Sequence, residues 1–304
     1  MTPMAPMAPM APSSRARGAA LLLVLWLLVL LTGLIAVFAL TARTEGLQGR
    51  YLGRSTQARY AAEAGLEVAA LHLQGDEPAQ RWIPDGRPYD FSFEGQRIRV
   101  KVVDESAKVD LNVADPDLLV GLLTAVGVEL ERARQLSGAI QDWRDGDDLI
   151  NAEGGAEDPQ YESAGLPYGA KDRPFETVSE LRLVLGIDPA LFARLQPYVT
   201  IYTGLARPNP AFAAPVVLKA LGLPDAQVGQ IIDSRTPAGR GTDATPPPAD
   251  PSIAAQGTGT YSISSRATRS DGTQLQIQAA IRIGGGGGFG QLYLPLSWRV
   301  GESD

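Results

Sequence analysis

Carboxylates dominate the residues that could do chemistry. Asp142, Asp145, Asp147 and Asp148 fall within seven positions, and Glu153, Glu157, Asp158 and Glu162 follow in a glycine-rich stretch. Carboxylates converging in a loop repel one another unless a cation neutralises them. An all-oxygen donor set without His or Cys suits calcium better than a transition metal. The spacing is not that of an EF-hand loop. The residues alone leave a calcium site and a solvated acidic loop as equal readings. Other chemistries lack their parts. The chain has no cysteine and one histidine, His72. That removes thiol nucleophiles, disulfides and zinc ribbons, and leaves His72 without a partner for a triad or multi-His site. No nucleophile–base pair or phosphate-cradling glycine loop is present. The glycines 284–288 lack the strand–GxGxxG–helix setting of a dinucleotide site. The chain reads as a non-enzyme.

The segment carrying the acids is helical in pattern and repeats. NVADPDLLVGLLTAVGVELERARQLSGAIQDWR (112–144), TVSELRLVLGIDPALFARLQPYV (177–199) and NPAFAAPVVLKALGLPDAQVGQIIDSR (209–235) each place a glycine between apolar residues: Val126-Gly127-Val128, Leu185-Gly186-Ile187 and Leu221-Gly222-Leu223. A glycine at positive φ between two short helices makes a helix-hairpin-helix unit. Such units often hold DNA phosphate on backbone amides beside Lys or Arg. Charge opposes that use. Residues 107–205 hold 8 basic and 17 acidic side chains, in a chain with 27 Lys and Arg, 34 Asp and Glu and a net charge of −7. A field of that sign repels duplex DNA. No nucleic-acid partner is expected, and a membrane-anchored helix-hairpin-helix DNA-binding protein stands as the alternative.

The elements around this block come next. From Ala19 to Ala42 run 24 residues without a charge, rich in Leu and Val. That is enough for a membrane-spanning helix. Arg15 and Arg17 precede it and place the first residues in the cytoplasm. Arg43 follows, so the charge asymmetry is modest. Residues 43–74 lack proline, and Leu66, Ala70 and Leu73 recur at helical spacing. The pattern predicts one helix from Ala19 to Gln74, roughly 84 Å long. Residues 89–103 alternate about a Glu94-Gly95 turn, as a β-hairpin does. Residues 260–268, 273–283 and 291–300 alternate in the same way, with Asp271-Gly272 as a turn. Strands at both ends with helices between them imply one sheet carrying a large insertion. The expected organisation is a leader (1–18), a transmembrane segment (19–42), the remaining helix and first strands (43–106), an inserted helical domain (107–235), a linker containing Pro246–Pro248 (236–258) and the last strands (259–304). The fold class is α+β: a long N-terminal helix packed on an antiparallel sheet, with an inserted all-α domain, an arrangement that a family resemblance implies is pilin-like.

Four stretches carry a family resemblance. Arg15-Ala16-Arg17-Gly18 before Ala19-Ala20-Leu21-Leu22-Leu23 is similar to a prepilin peptidase site. The long helix leads into Ala61-Ala62-Glu63-Ala64-Gly65. The stretches AIQDWRDGDD…GGAED…Y (139–161) and RPFETVSELRLVLGIDPALFARLQPYVTIY (173–202) are the specific ones. From about residue 15 to 300 the chain resembles minor pseudopilin K of the bacterial type II secretion system, the general secretion pathway protein K family. The resemblance implies cutting between Gly18 and Ala19 by prepilin peptidase, with methylation of the new terminus. It implies a single-pass inner-membrane protein with a periplasmic C-terminal part. It implies assembly with minor pseudopilins I and J at the pseudopilus tip, in export of folded proteins from the periplasm. The family's calcium implies a structural ion among Asp142, Asp145, Asp147, Asp148, Glu157 and Asp158. Leu23, fifth after the cut, stands where most pilin-like subunits carry glutamate. A tip subunit has no neighbour above whose amine needs that carboxylate, and a lone charge in lipid is costly. Met4, Met7 and Met10 are alternative starts to Met1.

Overall fold

We describe residues 15–75, 81–235, 258–284 and 292–301 of a computed structural model. The first 14 residues of the leader, the Pro246–Pro248 linker and glycines 285–288 lie outside the described residues. The chain divides into two units, residues 1–57 and 58–304.

Helix α1 (Arg15–Gln74) starts four residues earlier than the apolar run predicts; Arg15, Ala16 and Arg17 are good helix formers, and the cost of Gly18, about 1 kcal/mol, does not end the helix. Gly18 and Ala19 both lie in it. Within the first unit its side chains from Ala20 to Gly49 are exposed, Leu23 among them. It is long and apolar enough to cross a membrane. The hydroxyls of Thr32, Thr41 and Thr44 donate to the carbonyls of Leu28, Val37 and Leu40 at 2.8–2.9 Å. Such back-bonding satisfies a hydroxyl where no water reaches it.

The second unit is built on an antiparallel sheet in the order β1-β2-β5-β6-β7, from β1 (Asp85–Phe93), β2 (Gln96–Asp104), β5 (Thr260–Thr268), β6 (Gln274–Ile283) and β7 (Tyr293–Gly301). Glu94 (φ 48°) and Gly95 (φ 75°) turn β1 into β2. Two successive positive φ angles match the twist of a two-residue hairpin. One face of the sheet packs on the end of α1. Ala58, Ala61, Ala62, Leu66, Ala69, Ala70 and Leu73 meet Ile98, Val100, Val102, Ile263, Ile277 and Ile281, all buried. The alanines let the helix approach closely. The only histidine, His72, sits in the last turn of α1 with its ring stacked on Trp82 at 4.8 Å.

Between β2 and β5 the chain leaves the sheet for a second core. It contains α2 (Pro116–Ala125), α3 (Leu130–Arg144), α4 (Asp158–Ser163), α5 (Pro189–Leu195), α6 (Pro215–Ala220) and α7 (Asp225–Ser234). Two short parallel strands, β3 (Val109–Asp110) and β4 (Val199–Thr200), tie its beginning to the segment that follows α5. The chain then returns beside its point of departure, with Val103 opposite Ser262 and Asp104 opposite Tyr261.

The three sequence repeats are hairpins with glycine at the turn: Gly127 (φ 91°), Gly186 (φ 86°) and Gly222 (φ 81°). The second departs from expectation, since its first helix is a single 3-10 turn, Val178–Arg182.

Candidate functional site: an acidic loop on the helical domain

Three segments converge at the end of α3. Asp142 lies in the last turn of that helix. Glu157 is the N-cap of α4, and Asp172 occupies a positive-φ position (53°) in the following loop. Beneath them Trp143 packs against Tyr161 and Phe175, with ring centroids 6.0 and 6.3 Å apart. This aromatic floor fixes the C-terminal end of α3 and the start of α4.

Asp142 is buried. Its Oδ2 accepts from the Asn151 amide at 3.2 Å, while its Oδ1 has no hydrogen-bond partner. Glu157 is buried too, and its Oε1 is likewise unpartnered, as is Oδ1 of Asp172. Three buried carboxylate oxygens with no donor are costly, because each has lost water without replacement. Burial raises the Glu157 pKa to about 7, and the charges of Asp142, Asp172, Asp145 and Asp148 add to it. Burial also raises Asp142, with Asp147 contributing. Burial raises Asp145, with Asp142, Asp147 and Asp172 contributing. Asp172 is raised by burial, then by Asp158 and Asp148.

The six predicted acids are therefore in one field but not in one shell. Asp142 and Glu157 point inward. Asp145, Asp147 and Asp148 are exposed, and Asp147 accepts from the Leu149 amide at 2.9 Å. Asp158 accepts from the Ala170 amide at 3.1 Å. Among the described residues no three acids, histidines or cysteines are grouped closely enough to hold a metal ion as they stand. Asp172 was not anticipated from the sequence. It lies between Lys171 and Arg173, which mask its charge in a linear reading. Its positive φ and orphaned oxygen set it apart.

Glycine is required around these acids. A Cβ on Gly155 would stand 1.7 Å from Asp142 Oδ2, and one on Gly169 would stand 1.6 Å from Asp158 Oδ1. The backbone passes so close to both carboxylates that no side chain fits.

Of the hairpin turns, the competing candidate site, the first two are occupied by the chain itself. Glu129 accepts from the amides of Glu131 and Arg132 at the start of α3. Asp188 accepts from the Leu191 amide at the start of α5. These donors would otherwise face an anion. The nearby arginines are also spent. Arg132 of the first hairpin donates to the Gly186 carbonyl in the turn of the second. Arg194 of the second donates to the Val126 carbonyl in the turn of the first, at 3.3 and 3.0 Å. The reciprocal pair locks the two hairpins together.

Residues 101–204 match the family model of the type II secretion system (T2SS), protein K. Over that segment the chain is similar to the protein K family. It is 34% identical to type II secretion system protein K of Klebsiella pneumoniae over 166 residues, 47% of this chain and 49% of that protein. It is 32% identical to that of Pseudomonas aeruginosa over 170 residues, 53% of this chain and 50% of that protein. The chain spans about half the length of these curated relatives. Its fold is similar to a chain in the crystal structure of the GspK-GspI-GspJ complex from enterotoxigenic Escherichia coli. The TM-score is 0.57 at 22% identity, with 86% of this chain and 99% of that chain covered. The pilin-like α+β fold is the one expected. The matched segment contains the whole acidic loop.

Proposed function

We propose that the chain is a minor pseudopilin at the tip of the type II secretion pseudopilus, assembling with minor pseudopilins I and J in export of folded proteins from the periplasm. One observation carries the reading. A helix long enough for a membrane continues onto a pilin-like sheet whose β2–β5 connection carries the protein K helical domain. Prepilin peptidase would cut between Gly18 and Ala19, leaving α1 as a single-pass anchor in the inner membrane and the remainder periplasmic. Leu23 in place of glutamate suits a subunit with no neighbour above it. The role is structural.

The acidic loop fits a structural calcium ion. Asp142, Glu157 and Asp172 each hold a buried oxygen without a donor, and Asp145, Asp147, Asp148 and Asp158 share their field. When bound, the ion supplies positive charge and accepts oxygen lone pairs. The chain's own residues bring the acids together, Trp143 and Tyr161 holding the floor and Gly155 admitting the Asp142 carboxylate.

The test is co-purification of the full chain, extracted in neutral detergent, with its cognate I and J pseudopilins. A ternary complex is expected. Failure to associate at micromolar concentration contradicts the assignment.

A further inference from the structure

The sheet's other face, turned away from α1, differs in charge from the rest of this acidic chain. Alternation places Arg97, Arg99, Lys101, Arg266, Arg282 and Arg299 on it, while the intervening residues face α1. Register places two strand acids on this face among the described residues, Asp90 and Asp85, and Asp85 is already paired with Arg87 at 2.6 Å. Register fixes the layout. Lys101, Ser264, Gln278 and Arg299 form one row across β2, β5, β6 and β7. Lys101 and Arg299 end that row, three strand spacings or about 14 Å apart. Both are exposed, and neither side chain has a hydrogen bond or ion pair among the described residues. Arg99 shows what these groups accept. It grips the Asp90 carboxylate with two parallel bonds, Nε to Oδ1 at 2.7 Å and Nη2 to Oδ2 at 2.8 Å.

The same row lines a cleft of about 580 Å³. Its floor is Lys101, Ser262, Ser264, Gln278, Ser297 and Arg299. Its far wall is the helical domain, through Ser179, Gln196 and Tyr202. The one acid in it, Glu105, is buried and already neutralised by Lys108 at 2.6 Å. The cleft is thus a volume suited to binding, lined by hydroxyls and amides and by two cations that are unpaired among the described residues.

We propose that this cleft and the basic sheet face bind an acidic polypeptide segment of a partner protein, its carboxylates paired with Lys101 and Arg299. Arginine forks match carboxylates bidentately. Nucleic acid and anionic bilayers also carry negative charge, but each presents it over an extended surface. The neighbouring helical domain, with its excess of acids, would repel such a surface. A short acidic segment touches the sheet alone. The inference stands apart from the tip assignment and rests on the geometry of this face.

The test uses the full chain in neutral detergent with chelator present, and a fluorescein-labelled hexaglutamate peptide as probe. At about 50 mM salt, where screening is moderate, the peptide binds, and added salt weakens it. Lys101→Glu with Arg299→Glu reduces affinity about tenfold or more, as expected for losing two close charge pairs. Lys101→Gln with Arg299→Gln gives a smaller loss in the same direction. Arg134→Glu, on exposed α3, leaves binding unchanged, and thermal melting verifies that each variant is folded. The proposal is overturned if the wild type does not bind the peptide, or if both sheet variants bind as well as the wild type. It is also overturned if a duplex oligonucleotide or phosphatidylglycerol vesicles bind this face more tightly than the peptide does.

Discussion

Asp142 in the last turn of α3 and Glu157 at the start of α4 each bury a carboxylate oxygen that accepts no hydrogen bond, and the charge of Asp142 helps raise the Glu157 pKa to about 7. Two like charges brought together out of water are a standing cost to the fold. A cation converts that cost into stabilisation.

Calcium is therefore expected to raise the melting temperature, and chelator to lower it. At a free concentration one hundred times the dissociation constant the gain is about 2.7 kcal/mol. Asp142→Asn should abolish the calcium shift while leaving the metal-free protein at least as stable as the wild type, because a repulsive buried charge has gone. Calorimetry with calcium and with EGTA reads both effects. A wild type whose melting ignores calcium removes the ion from the account.

Gly155→Ala tests the same loop from the backbone side. The new Cβ would lie 1.7 Å from Asp142 Oδ2 and 2.9 Å from the Asn151 amide nitrogen. The carboxylate must move, and overpacking of this kind costs about 1–3 kcal/mol. The variant should lose stability and the calcium response together. Gly165→Ala, with open space about its Cβ but a φ of 73°, should lose some stability and keep the response.

Gly65 tests the seam between α1 and the sheet. A Cβ there meets Ser265 Oγ at 2.2 Å and Ile98 Cγ2 at 2.8 Å. Alanine is the better helix former by about 1 kcal/mol, yet Gly65→Ala should destabilise by about 1–3 kcal/mol. Ser265→Ala removes the nearer obstacle, and its hydroxyl is a buried group with no partner. The double variant should be more stable than the sum of the two single changes implies, as a double-mutant cycle by chemical denaturation would show. Strict additivity would mean that the helix does not sit where described.

The Asp90–Arg99 pair predicts a pH dependence. The hydrogen bond from Arg99, and then its charge, lower the Asp90 pKa. A depressed carboxylate contributes stability above its unfolded value, near 3.9, and loses it as pH falls through the lower folded value. Both groups are about half exposed, so the contribution is below about 1 kcal/mol. The stability gap between wild type and Asp90→Asn should be present at neutral pH and close in strong acid. A gap that widens on acidification contradicts the pairing.

Elements written as local periodicity were legible in the sequence. The uncharged run and the spacing of Leu66, Ala70 and Leu73 mark α1, and Gly127, Gly186 and Gly222 mark the three turns. Alternation in 89–103 and 260–300 marks the strands, while adjacency of β2 and β5 is a long-range pairing that no local pattern encodes. The acids of the loop were visible because they cluster in the chain. Asp172 was not, since folding alone brings it to Asp142 and Glu157 and basic neighbours hide its charge. The basic sheet face was written as Arg97-x-Arg99-x-Lys101, but Arg266 and Arg299 join it only through register. The fate of the hairpin turns was hidden for the same reason, because the Arg132–Gly186 and Arg194–Val126 bonds connect residues far apart in the chain.

The central claim is that α1 belongs to a processed, pilin-like subunit. Its most direct test is the amino-terminal residue of the protein extracted from membranes, read by intact-mass and terminal-peptide mass spectrometry. The account predicts a chain beginning at Ala19, with a methylated amine. An intact leader, with Gly18 still joined to Ala19, would contradict it and leave α1 as a fixed anchor.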